Sequence, residues 1–108
     1  MVVVLEYEDE EGRHPFAKWF ASPNNQAALK VRTAVARIEN GNFSNVKAVG
    51  GGVNEYRLNF GPGYRVYFGM DGVEVVILLG GGTKKRQGRD IETAKDLWTN
   101  YKTRRRKG

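Results

Sequence analysis

Apolar and polar positions alternate along Val53 to Phe60 and again along Tyr64 to Met70, with Gly-Pro-Gly between them. That period of two predicts a β-hairpin closed by a tight turn. Asp71-Gly72 then reads as a second hairpin turn. Val73 to Leu79 is apolar at every position but Glu74, the pattern of an interior strand covered on at least one side. The three strands predict an antiparallel meander. At the N-terminus, the short β-branched run Val2 to Tyr7 predicts one more strand, followed by an acidic turn.

The period changes between these segments. Pro15 suits a first helical position, and Phe16, Trp19 and Phe20 recur on one helical face. A second helix follows, with Ser22 able to cap it, Pro23 at its first position and Gly41 just past its end. Its apolar stripe is Ala27, Ala28, Val31, Ala34, Val35 and Ile38, which leaves Lys30, Arg32 and Arg37 for solvent. Asn42 to Gly52 reads as a linker and GGGTKKRQGRD as a basic, glycine-rich loop. From Asp90, the positions Ile91, Ala94, Trp98 and Tyr101 form a last helical face, with RRRKG fraying off its end. The expected fold class is α+β, in the order β-α-α-β-β-β-α, with a helical hairpin packed on a small antiparallel sheet. Residues 1–108 form one domain, with a basic C-terminal tail at about 102–108.

Charge adds to the picture. The chain carries +6 overall, but five of its twelve acids lie in the first eleven residues, which hold no Lys or Arg. From Gly12 onward, eighteen Lys and Arg face seven acids, a balance of +11. Such a body suggests a polyanionic partner, nucleic acid or an acidic protein. With no cysteine and one histidine, thiolate metal sites, a cysteine nucleophile and a multi-histidine metal site are all excluded. No cofactor is expected. Neither a long apolar window nor a leader pattern is present, so the expectation is a cytoplasmic protein without membrane association.

Strand parity locates the candidate chemistry. Tyr64, Val66 and Phe68 share one face, the core side, with Tyr56, Leu58 and Phe60. Arg65 and Tyr67 then share the other with Glu55, Arg57 and Asn59. The parity predicts Arg57, Arg65 and Tyr67 on one exposed surface. Two arginines side by side repel, so the arrangement calls either for an absent anion or for an acidic neighbour such as Glu55. Lys84, Lys85, Arg86 and Arg89 can reach the rim of that surface, and Lys47 adds to the basic set. Tyr67 could stack on a base or donate a proton. His14 reads as a surface histidine, and Asp90 with Glu92 as acids suited to a helix start.

The segments GGGVNEYRLNFGPGYRVYF and VEVVILLGGGTKKRQGRDIETAKDLW, with the GPGYRVYF run and the GG-x-K-x-x-Q-x-x-DI pattern in order, resemble the HigB-like addiction-module killer proteins of the RelE/ParE toxin superfamily. The likeness runs along nearly the whole chain. It implies a type II toxin held inactive by a cognate antitoxin, and on the RelE side a metal-independent endoribonuclease (mRNA interferase) acting on mRNA at the ribosome. By similarity Arg65 would hold the scissile phosphate, with Arg57, Lys84, Lys85 and Tyr67 completing the catalytic set and Arg86, Arg89 and Lys47 binding RNA. Better-known ribonucleases of the superfamily place a tyrosine or histidine acid near the C-terminus, whereas here that region is a helix with Trp98 and Tyr101 and no histidine. The ParE side poisons DNA gyrase with no nuclease activity, and basic and aromatic residues alone do not separate the two.

Overall fold

The computed structural model describes residues 2–21 and 25–107. Its elements are β1 (Val3–Glu6), α1 (Pro15–Phe20), α2 (Asn25–Glu39), β2 (Val46–Gly50), β3 (Val53–Arg57), β4 (Arg65–Asp71), β5 (Val75–Gly82), a 3-10 turn (Lys84–Arg86) and α3 (Gln87–Lys107). They form a small α+β domain around one five-stranded sheet of order β1-β5-β4-β3-β2. The expected capping by Ser22 and the Pro23 start of α2 lie outside the described residues. No helix among the described residues is long and apolar enough to cross a membrane.

The sheet is mixed rather than antiparallel, because β1 runs parallel to β5 while the other three pairings are antiparallel. The parallel pair β1 and β5 is joined by a long connection that carries α1, α2 and the antiparallel strands β2–β4. The expected linker hides a strand. Val46–Gly50 pairs with β3 as an edge, and its short VKAVG run, ending at glycines, has no period-two alternation to read. β5 begins two residues later than expected and takes in Gly80 to Gly82, so the anticipated glycine-rich loop shrinks to Thr83 and the 3-10 turn.

Both faces of the sheet are covered. On one, Phe16 of α1 and Val31, Ala34 and Ile38 of α2 pack on Tyr56, Leu58, Val66, Phe68, Val76 and Leu78. On the other, Ala94 and Trp98 of α3 pack on Tyr7, Val53, Tyr67, Ile77 and Leu79. Each face also seats a tryptophan against a glycine. The Trp19 ring occupies the space where a side chain at Gly81 would stand, and the Trp98 ring does the same at Gly69. Two strand glycines therefore act as flat seats for indoles. The ordinary penalty for glycine in a strand is offset by the aromatic area buried there.

α3 does not fray after Tyr101. It continues helically to Lys107 because both flanks of its last turns are engaged. Tyr101 donates to Asp71 at 2.7 Å and Arg105 pairs with the same carboxylate, while Arg104 donates to the Glu8 carbonyl at 2.6 Å. Tyr7 donates to Asn100 at 2.6 Å, tying the acidic N-terminal segment to the same helix.

Gly69→Ala and Gly81→Ala are each expected to lower stability by about 1–3 kcal/mol through overpacking against an indole. Gly88→Ala, at an exposed helical site where an added Cβ meets nothing within 4 Å, is expected to raise it by about 0.5–1 kcal/mol. Urea unfolding of the three variants checks both signs.

Candidate nucleic-acid interface

Register places the candidate residues in two rungs on the α3 side of the sheet. Lys47 lies opposite Glu55, Glu55 opposite Tyr67, and Tyr67 opposite Gly80. Two residues along, Arg57 lies opposite Arg65 and Arg65 opposite Gly82. Parity therefore puts Arg57, Arg65 and Tyr67 on a common face, as expected. The expectation that this face is exposed is overturned. Tyr67 is 1% and Arg65 6% exposed, because α3 and the start of its first turn lie over them. Only the Arg57 side chain, 45% exposed, reaches solvent freely.

The anion facing the two arginines is Glu55, the acidic neighbour rather than a vacancy. Its carboxylate has no exposed surface. Arg57 Nε donates to Oε1 at 2.9 Å, and Gln87 Nε2 and the Tyr67 hydroxyl donate to Oε2 at 2.9 and 3.2 Å. Arg65 Nε stands 3.5 Å from Oε2, an ion pair too long for a hydrogen bond. Burial pushes the Glu55 carboxyl up, but the hydrogen bonds from Arg57, Gln87 and Tyr67 and the charge of Arg65 outweigh it, so the group sits below the ordinary glutamate range. A buried carboxylate of this kind is tolerated only when its lone pairs are filled. Gln87 had no functional reading in the sequence beyond its place in the GG-x-K-x-x-Q pattern. Here it is the residue that joins the helix start to the sheet's central charge.

Tyr67 is corrected in role as well as exposure. Its ring belongs to the packed cluster under α3 and its hydroxyl is committed to Glu55, so no base can stack on it. Burial first, and then the Glu55 charge, raise its pKa, which makes it a poor proton donor at neutral pH.

Arg65 completes its own turn. Its Nη1 donates to the Gly63 carbonyl at 2.8 Å, while Nε is buried with no hydrogen-bond partner. The GPG turn that receives it needs glycine twice, since Gly61 and Gly63 have φ of 56° and 76°. A side chain at Gly63 would also press on Arg65 and Lys84, each 3.2 Å from where its Cβ would be. The Lys84 amide donates to the Pro62 carbonyl at 3.2 Å, fixing the 3-10 turn beside the GPG turn. Together these elements wall an open cleft of about 550 Å³, with Arg57, Arg65 and Lys84 as its cations.

The other basic candidates are not brought into the cleft. Lys85 and Arg86 are exposed on the 3-10 turn, Arg89 on the first turn of α3 and Lys47 on β2. Among the described residues, Lys47, Lys84, Lys85, Arg86 and Arg89 form no ion pair. Lys47, Lys85, Arg86 and Arg89 make a field around the cleft, whereas Lys84 is part of its wall. His14 lies elsewhere, near Glu8 at 3.7 Å, at the start of α1. Asp90 packs against Gly82, and burial raises its carboxyl despite the pull of Arg86 and Arg89.

Removing the Glu55 charge strands Arg65, so Glu55→Gln is expected to cost about 3 kcal/mol. That is the low end for breaking a buried pair, since Arg57 stays partly in water. The pH dependence has a definite sign. Because the folded Glu55 pKa is depressed, its stabilisation is full above the unfolded value of about 4.3 and is lost as pH falls through the folded value. Unfolding midpoints measured between pH 7 and pH 2 should show an acid-side loss that Glu55→Gln reduces.

No family model matches the chain. An uncharacterized protein of Haemophilus influenzae is 40% identical over 83 residues, which cover 76% of this chain and 84% of that protein. With that identity over that share of both chains, this protein belongs to the same family as the Haemophilus influenzae protein.

Proposed function

We propose that the chain is the toxin of a type II toxin–antitoxin system, on the HigB-like branch of the RelE/ParE superfamily, and that it cleaves mRNA at the ribosome without a metal ion. The observation that carries the reading is Arg65. Its side chain is 8% exposed, its Nε has no hydrogen-bond partner, and it walls an open cleft whose other cations are Arg57 and Lys84. Glu55 fixes this guanidinium from beneath, and the residue lines the cleft beside two further cations, an arrangement suited to an anion such as a phosphate. Further support comes from the segments that carry the resemblance: EYR, GPGYR and the K-x-x-Q stretch meet in one network through Glu55, Arg57, Arg65 and Gln87.

The reaction balances with RNA and side chains alone. The 2′-oxygen attacks the adjacent phosphorus and the bond to the 5′-oxygen breaks, leaving a 2′,3′-cyclic phosphate and a 5′-hydroxyl. One proton leaves the 2′-hydroxyl and one arrives at the departing oxygen. Arg65 and Arg57 neutralise the charge that gathers on the phosphoryl oxygens, and Glu55 holds both arginines in place beforehand. Lys84, exposed at the rim, is the side chain placed to exchange protons, with Lys85 next to it. The antitoxin is a separate small protein that covers the basic surface.

A second reading, inhibition of DNA gyrase without nuclease activity, has an observation of its own. No tyrosine or histidine lines the cleft among the described residues, and Tyr67 is spent on Glu55. Induction in cells with mapping of mRNA 5′ ends and a gyrase supercoiling assay decides between them. New in-frame 5′ ends with normal supercoiling are expected; intact transcripts with lost supercoiling would favour the second reading, and normal growth would overturn both. Lys84→Ala is expected to lower cleavage about 100-fold, the scale for losing charge stabilisation of a transition state, with the unfolding midpoint little changed. Arg57→Ala and Arg65→Ala are less clean tests, since each removes a partner of buried Glu55.

A further inference from the structure

A second cavity, of about 300 Å³, lies on the other side of the segment from Arg57 to Phe60. Lys30 and Arg37 of α2 line it together with Asn45, Asn59 and Arg57. It shares Arg57, Leu58, Asn59 and Phe60 with the cleft at the GPG turn, so the two adjoin along the end of β3. α2 packs on one face of the sheet, whereas Arg65 and Lys84 stand on the side covered by α3. The combined groove therefore passes from one face of the sheet to the other around a strand end.

Its chemistry is that of a polyanion site with amides for a base. Lys30 Nζ is held 5.5 Å from the centroid of the Phe60 ring, and Arg37 has no ion pair among the described residues. No carboxylate lines the cavity. The side-chain amide of Asn59 makes no hydrogen bond among the described residues, and that of Asn45 makes one long contact of 3.5 Å with the Tyr56 hydroxyl. Both are left to present a donor and an acceptor each to a base edge.

We propose that this cavity is a nucleotide subsite, in which Arg37 and Lys30 take a backbone phosphate and Asn45 and Asn59 face the base of a nucleotide flanking the cleavage point. The proposal rests on the ribonuclease reading above and extends it to substrate form. A path that bends around a strand end within one small domain suits a single strand. A duplex, with a persistence length of about 150 base pairs, cannot follow it.

Fluorescence anisotropy with uncleavable 2′-O-methyl oligoribonucleotides tests this, comparing a trinucleotide with a hexanucleotide over a range of KCl. In the Lys30→Ala, Arg37→Ala variant, hexanucleotide affinity is expected to fall about tenfold. The slope of log affinity against log salt should shrink by about 0.7, the value for one neutralised phosphate of a single strand. Trinucleotide binding should stay as in the parent. Hexanucleotide affinity and slope both unchanged in that variant, while Arg57→Ala with Lys84→Ala abolishes binding, would overturn the subsite and leave the ribonuclease reading standing. Equal loss for both oligomers, or duplex bound as tightly as single strand, would also overturn the subsite. Failure of the parent protein to bind either oligomer would overturn both. Both substituted side chains are exposed on α2, and Arg37→Lys, which keeps the charge, should retain the parent slope.

Discussion

Glu55 is a carboxylate with no exposed surface, and the geometry of the candidate site depends on the groups gathered around it. Arg57 comes from its own strand, Arg65 and Tyr67 from the next, and Gln87 from the start of α3. Two guanidinium groups opposite each other would repel if left alone. With a buried anion beneath them they become a fixed, net positive pair, one member reaching solvent and the other keeping an unfilled Nε. Such preorganisation is worth more at a reacting phosphate than free surface lysines, because no reorganisation is needed when charge develops.

The scaffold that holds this pair is a sheet clamped from both faces. α1 and α2 press on one side and α3 on the other, with Trp19 seated on Gly81 and Trp98 on Gly69. Burial of Tyr67 and Arg65 under α3 is a consequence of that second layer. The GPG turn and the 3-10 turn meet at the uncovered end, joined by the bond from the Lys84 amide to Pro62, and there the cleft opens. On the proposed reading, the same device that stabilises the sheet's centre aims its charge at the substrate.

Much of this was legible in the residues. Period-two alternation located β3 and β4, the 3.6-residue stripe located α2, and parity placed Arg57, Arg65 and Tyr67 together, with Glu55 named as one of two ways to relieve the arginine pair. What parity cannot tell is whether a face is covered. Tyr67 was read as exposed because the α3 stripe of Ile91, Ala94 and Trp98 carries no mark of where it docks. β2 escaped because an edge strand ending in glycines has no alternation to display, and its pairing depends on β3 alone. The parallel β1–β5 contact is a long-range choice that local pattern does not encode. The groove beside α2 was missed for the same reason: Lys30 and Arg37 looked like ordinary solvent-facing charges until the fold brought Asn45 and Asn59 beside them.

The most direct measurement of the central claim is a crystal structure of the protein with a short RNA carrying a 2′-O-methyl group at the cleavage point. The account predicts a phosphate in the cleft, with an oxygen within hydrogen-bond distance of the Arg65 or Arg57 guanidinium and the Glu55 carboxylate still in place beneath them. RNA bound elsewhere on the basic surface, with Arg65 turned wholly onto Glu55 and the cleft free of phosphate, would contradict it.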